Sequence, residues 1–271
     1  MRRLHVAVAQ IQTIAGDVAG NLARLERQVR CAAIAGVEVI LFAEGATQGY
    51  DLSPEHLALA EPLDGALGRR LSKLAAAHRL AILAGFFERE DGLVYNSQLV
   101  AWPDGRRAGE RKHNLTEWER AAGLAAGPRE RTLFDFNGVR CAILICADTG
   151  IPGLRPELAR RGVEFLFIPT GGGGKRAEML HESDLDTPAG RAAYVKDRAI
   201  VYKPEALVEP EAGCMAGFAS ANALGHDGRE AYHRGHCMIV DRHGVLRAQI
   251  AGTNVLEHQQ DQMVHAELSF L

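Results

Sequence analysis

The sequence predicts an α/β fold, built as a sandwich of two sheets with helices on the outer faces. Two observations predict it. Apolar runs of strand length alternate with segments of helical periodicity, and several strands are paired across short turns typical of antiparallel hairpins. The chain has 271 residues, 47% of them hydrophobic and 24% charged, which is enough for a sizeable core. Since no Pro/Ser-rich linker and no internal repeat interrupts it, we expect a single domain spanning residues 1–271.

The first half of the chain is predicted to run strand, helix, strand, helix, strand, strand. Residues 5–10 alternate as a half-buried strand does, and residues 37–43 form the continuous apolar run of a buried strand. Asn21 is expected to cap the first helix, whose apolar residues recur with helical period until Gly36 ends it. The elements expected next are a helix through residues 67–78 and strands at residues 80–87 and 95–102.

The second half repeats this alternation with more hairpins. The turns Asn137-Gly138 and 241–244 each separate two short apolar runs, which predicts a hairpin at each place. The expected strands are residues 133–136, 139–145, 164–168, 215–222, 236–240 and 245–250, and the expected helices are residues 156–161 and 192–202.

Charge, hydropathy and cysteine content exclude several classes of protein. The net charge is −3 and the basic residues are scattered, so no nucleic-acid partner is expected. No apolar stretch approaches the roughly 20 residues that span a bilayer, and the N-terminus lacks a signal-peptide pattern, so we expect a cytosolic protein without a membrane partner. Five cysteines without a Cys-x-x-Cys spacing argue against disulfides and a zinc site. Four of them are expected to be small core residues: Cys31, Cys141, Cys214 and Cys237.

Three reactive side chains follow predicted strands. Cys146 ends the apolar run that begins at Val139, Glu44 ends the run that begins at Val39, and Lys112 lies at a third strand end. Ligands of open α/β sheets bind outside such strand ends. Each residue also has a plainer interpretation, as a buried structural cysteine, an exposed strand terminus and a solvated lysine. Together, however, a thiol, a carboxylate and an amine form a set that can perform nucleophilic catalysis.

Several sequence blocks surround these residues. They resemble the blocks of the carbon–nitrogen hydrolase (nitrilase-like amidase) superfamily, and the resemblance runs over nearly the whole chain. The blocks are Val6-Ala7-Val8-Ala9-Gln10, Leu41-Phe42-Ala43-Glu44 with Gly49-Tyr50, Tyr95-Asn96-Ser97, Arg111-Lys112, Leu144-Ile145-Cys146-Ala147-Asp148, Pro169-Thr170, Gly235-His236 and residues 241–244.

The resemblance implies a four-layer αββα sandwich with no metal and no organic cofactor. It also implies a catalytic triad, with Glu44 as general base, Lys112 as stabiliser of the oxyanion and Cys146 as nucleophile. A second glutamate of the family positions substrate, and Glu119 fits that place better than Glu117. The implied partner is a small amide, and the implied assembly is a homodimer or larger homo-oligomer that packs through residues 153–161 and 192–202.

The chain departs from the family pattern around the nucleophile. The residue after Cys146 is Ala147 instead of a bulky aromatic, residues 151–153 read Ile-Pro-Gly, and four glycines follow at 171–174 before an unusually long stretch. We therefore expect an acyl pocket that is wider, or closed by a mobile loop. The residues expected to contact substrate are Tyr50, Trp118, Ala147 and Gly171.

Four alternatives remain open at this point. A papain-like peptidase would need a Cys-His frame, which the sequence lacks. A metal hydrolase would have to use His113, His233 or His236, which do not form a ligand pair on a helix. A non-catalytic binding protein on the same fold is a stronger alternative, because the loop after Cys146 is altered. A nitrilase acting on a nitrile is the alternative among enzymes, although Ala147-Asp148 after the cysteine favours an amidase.

Overall fold

The computed structural model describes residues 1–198, 216–226 and 231–270. These residues form fifteen strands. In chain order the strands are β1 (Arg2–Gln10), β2 (Val39–Phe42), β3 (Ala81–Glu90), β4 (Leu93–Ala101), β5 (Arg107–Arg111), β6 (Leu133–Phe136), β7 (Val139–Ile143), β8 (Phe165–Thr170), β9 (Gly173–Lys175), β10 (Gly217–Asn222), β11 (Leu224–His226), β12 (Ala231–Arg234), β13 (Cys237–Val240), β14 (Leu246–Ile250) and β15 (Gln262–Phe270).

The helices of the described residues lie mainly between these strands. They are α1 (Val18–Ile34), α2 (Pro54–Leu57), α3 (Ala66–His78), α4 (Glu117–Ala121), α5 (Leu154–Arg160) and α6 (Pro188–Arg198). Short 3₁₀ turns add four further elements, at Cys146–Gly150, Arg176–Glu178, Glu182–Asp186 and Leu256–His258.

Most strands belong to two six-stranded sheets. The spatial order is β15-β1-β2-β3-β4-β5 in the first and β14-β13-β10-β8-β7-β6 in the second. Both sheets have a parallel centre, formed by β1, β2 and β3 in one and by β7, β8 and β10 in the other, with antiparallel strands on either side. Strands β9, β11 and β12 form a third, small sheet.

Three apolar clusters divide the molecule into layers. The largest contains residues of both six-stranded sheets, such as Leu4, Val8, Phe165 and Ile239, and is the core between them. A second cluster joins the outer face of the first sheet to α1 and α3, and a third joins the outer face of the second sheet to α5. Alternate strand residues therefore face two cores, which gives the αββα order that was predicted.

The structure corrects three details of the sequence interpretation. The small third sheet was not predicted. Helix α1 begins at Val18, because Asp17 caps it by accepting a hydrogen bond from the Gly20 amide, while the buried Asn21 side chain instead hydrogen-bonds the backbone of Ile14. Cys31 is exposed, because it lies off the buried face of α1, whereas Cys141 and Cys237 are buried as expected.

Two other sequence expectations meet the limits of the described residues. The helix predicted at residues 192–202 corresponds over residues 192–198 to α6, and its last four residues, like Cys214, lie outside the described part of the chain. Within residues 1–198, 216–226 and 231–270, no helix has both the length and the apolar character needed to cross a membrane.

Candidate active site

Four buried polar side chains meet at one end of the first sheet. We call Glu44, Asn96, Lys112 and Glu119 the Lys112 cluster. Lys112 Nζ lies 2.8 Å from Glu44 Oε1 and 2.9 Å from Glu119 Oε2, so the ammonium is held between two carboxylates. Asn96 Nδ2 donates to Glu44 Oε1 and to Glu119 Oε1, at 2.6 Å each. Every member is almost completely buried, which makes these charges strongly interacting.

Local sequence explains how these side chains reach each other. Glu44 follows β2, whose four residues are all buried, and Lys112 directly follows β5. Glu119 is part of a capping box: its Oε2 accepts from the amide and the hydroxyl of Thr116, whose own hydroxyl accepts from the Glu119 amide. The short helix α4 thereby fixes the Glu119 carboxylate toward the sheet.

Cys146 lies at a strained turn next to this cluster. The chain leaves β7 and enters a 3₁₀ turn at Cys146, whose φ is +49°, an uncommon value for a residue with a side chain. Cys146 is partly exposed, and the backbone of Gly171 is near enough to its thiol to lower the thiol pKa. Backbone strain of this kind is concentrated at functional sites.

The environment of each group shifts its protonation equilibrium. Burial, followed by the charge of Glu44, raises the pKa of the Cys146 thiol to about 12, so the resting thiol is protonated near neutral pH. Burial also raises the pKa of Glu44, against the opposing effect of Lys112. For Lys112, burial alone would lower the pKa, but the negative charges of Glu44, of Cys146 when it is ionised and of Glu119 together raise it, so the amine stays charged.

Glu119 is the carboxylate of the cluster that stays ionised. Burial alone would raise its pKa, but the Lys112 ammonium and hydrogen bonds from Thr116 and Asn96 together lower it. Two buried carboxylates at one cation therefore differ in role: Glu119 balances the charge of Lys112, while Glu44 is placed to exchange a proton.

Tyr50 and the chain after β8 lie beside the Glu44 carboxylate. Burial, followed by the charges of Glu44 and Glu119, raises the pKa of the Tyr50 hydroxyl, and the Tyr50 ring lies edge-on to His233 of β12, with centroids 6.3 Å apart. A Cβ atom at Gly171 would lie 2.9 Å from Glu44 Oε2 and 3.6 Å from the Tyr50 ring. Gly171 therefore gives room to the Glu44 carboxylate as well as to any bound molecule.

The glycines at 171–174 include a packing role that the sequence did not predict. None of the four has positive φ. A Cβ at Gly173 would lie 2.1 Å from the carbonyl oxygen of Tyr232, because β9 pairs closely with β12. Glycine at this position therefore permits close packing of the two strands. The remainder of the predicted lid, residues 199–215, lies outside the described residues.

The structure brings most of the sequence-predicted site residues together, but not all. Glu44, Lys112 and Glu119 are in direct contact, and Tyr50, Cys146 and Gly171 lie beside them. The Ala147 side chain is half-buried, and its carbonyl accepts from Asn114 Nδ2 at 2.8 Å. Trp118, in contrast, is 78% exposed on α4, so the geometry gives no support to its expected contact with substrate.

Two residues at the site had no assigned role from sequence. Asn96 links the two carboxylates, and Asp148 hydrogen-bonds the chain on either side of the reactive groups. Both residues lie inside blocks that resemble the family, but only their burial in the structure indicates a role, and the sequence alone does not show that burial. Among the described residues, no group of three or more His, Cys, Asp or Glu side chains is arranged to hold a metal ion.

Comparison with known proteins gives a consistent result. A model of the family described as carbon-nitrogen hydrolase matches residues 5–256. The protein named hydrolase in pqqF 5'region, from Pseudomonas protegens, is 33% identical over 173 residues, covering 63% of this chain and 60% of that protein. An (R)-stereoselective amidase from a Pseudomonas species is 30% identical over 169 residues, covering 62% and 60%. The match thus spans about three fifths of the length of these curated relatives.

The fold also has solved counterparts. A superfamily protein from Xanthomonas campestris, whose structure carries an arsenic adduct in its active site, aligns with a TM-score of 0.78. The alignment covers 99% of this chain and 91% of that chain at 22% sequence identity. At this level of identity the likeness shows the fold alone, and it agrees with the two-sheet sandwich described above.

Proposed function

The chain belongs to the carbon–nitrogen hydrolase family, and from that premise we propose that it is an amidase that cleaves a non-peptide amide or N-carbamoyl bond through a thioester on Cys146. The single observation that carries the proposal is the juxtaposition of a thiol with a buried ammonium held between two carboxylates. Such an arrangement can take a proton from the thiol, stabilise an oxyanion and return a proton to a leaving amine.

In the proposed mechanism, Glu44 accepts the proton of the Cys146 thiol as the sulfur attacks the substrate carbonyl. The Glu44 oxygen nearest Gly171, Oε2, is the better candidate for this transfer, because Oε1 already accepts from Lys112 and Asn96. Delaying ionisation until attack suits a thiol whose resting pKa is raised, because the charged sulfur need not persist before the substrate arrives.

Lys112 has three N–H donors, and two of them are directed to Glu44 and Glu119. We assign the third to the oxyanion of the tetrahedral intermediate, together with the backbone N–H of residue 147. Protonated Glu44 then gives its proton to the leaving nitrogen as the carbon–nitrogen bond breaks. The thioester that results is attacked by water, with Glu44 as base, which releases the acid and restores the thiol.

The proposal extends to the class of substrate. The residue after Cys146 is alanine, and Gly171 has no side chain. The acyl side of the site is therefore less crowded than it would be with an aromatic residue at position 147. We therefore expect amides larger than short aliphatic ones to be preferred. A nitrilase reaction at the same thiol is the alternative within the family.

The test is product formation from a panel of primary carboxamides of increasing size, N-carbamoyl amines and nitriles. We expect ammonia and acid from the amides, with acetamide and propionamide below the larger members in kcat/KM. Cys146→Ala is the matched control and should lose turnover by several orders of magnitude, roughly as for other covalent nucleophiles. Release of acid from nitriles alone would favour the nitrilase alternative. Turnover that persists in Cys146→Ala would contradict the proposal.

A further inference from the structure

A second buried ion cluster lies close to the Lys112 cluster along the chain. We call Glu110, Arg131 and Asp148 the Arg131 cluster. Arg131 Nη1 lies 3.1 Å from Glu110 Oε1 and 3.1 Å from Asp148 Oδ2, and all three side chains are almost completely buried. The proposed reaction uses none of them. Burial of charge on this scale is costly unless each group is well satisfied, so the contacts that satisfy these groups indicate what the cluster does.

The Asp148 carboxylate hydrogen-bonds two separate parts of the chain. Its Oδ1 accepts from the backbone amides of His113 at 3.1 Å and Asn114 at 2.7 Å, which directly follow Lys112. Its Oδ2 accepts from the amide of Ile145, the residue before Cys146, at 3.2 Å. One carboxylate therefore joins the segment that carries the ammonium to the turn that carries the thiol.

Arg131 holds the same segment from the other side of Lys112. Its Nη1 donates to the carbonyl oxygen of Arg111 at 3.0 Å and to Asp148 Oδ2 at 3.1 Å. A further bond, from Asn114 Nδ2 to the Ala147 carbonyl, links the segment to the turn again. The residues after Lys112 are thus hydrogen-bonded to Asp148 in the turn that carries Cys146. The residue before Lys112 is hydrogen-bonded to Arg131, which in turn binds Asp148.

We propose that Asp148 and Arg131 are positioning residues that set the distance and direction between Lys112 and Cys146. The proposal rests on the proposed function for what those two residues do, and on these contacts for how they are held. Charge-assisted hydrogen bonds are the stronger ones, and four of them end on Asp148. A shift of about 1 Å between reacting groups can cost about a hundredfold in rate, so loosening this connection should reduce catalysis more than binding.

The experiment uses Asp148→Asn, Arg131→Lys and a control, Arg129→Lys. The asparagine keeps one acceptor oxygen but removes the charge, and it has an N–H₂ group to place against Ile145 or the other amides. Arg129 is half-exposed two residues from Arg131, and its ion pair is with Glu157 at the surface. The kcat and KM of each variant are measured well below its melting temperature.

A second readout does not depend on the identity of the substrate. Iodoacetamide modification of Cys146 at pH 8 is followed by peptide mapping, with the exposed Cys31 as an internal control. Because the charge of Lys112 lowers the pKa of the Cys146 thiol, displacement of Lys112 should slow alkylation of Cys146 and leave that of Cys31 unchanged.

We expect Asp148→Asn to lower kcat about a hundredfold and Arg131→Lys about tenfold, with KM within about threefold and Cys146 alkylation slowed in the same order. Arg129→Lys should match the wild type. If both variants keep wild-type kcat and alkylation rates and only melt earlier, the role is structural and the proposal is overturned. Should Asp148→Asn fail to fold, the milder Arg131→Lys decides alone. An active Cys146→Ala enzyme would contradict the proposed function. The alkylation rates of Cys146 would still show whether Asp148 and Arg131 position Lys112 relative to the thiol.

Discussion

The Lys112 cluster and the Arg131 cluster are built from the same parts, one buried cation between two carboxylates, but their surroundings differ. At Lys112 the carboxylates also receive hydrogen bonds from Asn96, and the thiol of the partly exposed Cys146 lies alongside. At Arg131 the contacts go mainly to backbone groups. The flexible ammonium of Lys112 has an N–H that is not used by the two carboxylates and can donate to a charge that develops during a reaction. The planar guanidinium of Arg131 is better matched to carboxylates whose position and charge stay fixed. A buried ion cluster by itself therefore does not identify a catalytic site; the reactive thiol beside the Lys112 cluster does.

Removing the cation or the base from the Lys112 cluster should have the largest effect. We expect Glu44→Gln and Lys112→Ala each to reduce kcat by about a thousandfold, because one loses proton transfer and the other loses oxyanion stabilisation. KM should change less. Lys112→Ala should also melt earlier, since it leaves two buried carboxylates without their cation. Steady-state kinetics below the melting transition of each variant is the measurement, and a kcat within tenfold of wild type would contradict the assigned roles.

A smaller loss of kcat is expected when a methyl group is added next to the Glu44 carboxylate. In Gly171→Ala the added methyl would lie 2.9 Å from Glu44 Oε2, so we expect kcat to fall about tenfold or more. Gly150→Ala is the matched control, because it lies in the turn after Cys146 with no atom within 4 Å of the added methyl. Equal kcat values for the two variants would show that the Glu44 carboxylate has space to move.

Sequence reasoning found the parts of the site that strands determine. An apolar run that ends near Glu44 or Cys146 predicts the strand and the place where it ends, because the run itself is a local pattern. It did not assign Asn96 or Asp148, whose roles depend on which strands and turns become neighbours in three dimensions. For the same reason it did not predict the small sheet that gives the glycines at 171–174 a packing role. Contacts between distant segments have no local pattern from which to predict them.

The Arg131 cluster predicts a dependence of stability on pH. Burial is the main cause that raises the pKa of Glu110 to about 7, with Arg131 opposing the shift and Asp148 adding to it. Since its unfolded value is near 4.3, the folded state holds this proton more tightly, and the resulting stability is lost as pH rises through about 7. At 1.36 kcal/mol per pKa unit, we expect Glu110 to lower the free energy of unfolding of the wild type by up to about 3 kcal/mol between pH 5 and pH 8.

Glu110→Gln isolates that contribution. The amide keeps an acceptor for the Thr132 N–H but cannot ionise. Urea unfolding at pH 5 and pH 8 should show a variant that gains stability relative to wild type at the higher pH only. The same difference between variant and wild type at both pH values would mean that Glu110 is ionised throughout and that Arg131 compensates its burial fully.

The smallest effect is expected at Trp118, next to Glu119 on the same short helix. Because its side chain is 78% exposed, Trp118→Ala should leave kcat, KM and the free energy of unfolding nearly unchanged, within about 0.5 kcal/mol. Glu119→Gln on the buried side of the helix provides the comparison and should lose most of its activity. A tenfold rise in KM for Trp118→Ala would instead support the contact between Trp118 and substrate that was expected from the sequence.

Trapping the acyl intermediate shows whether the Lys112 cluster serves a covalent reaction at Cys146. An active amide is mixed with the enzyme, the reaction is quenched in acid within its first turnovers, and peptides are mapped by mass spectrometry. We expect an acyl group on Cys146, with a mass gain equal to the substrate acyl group minus one hydrogen, and no such group in Cys146→Ala. Steady turnover with no adduct, or an adduct on another residue, would contradict it.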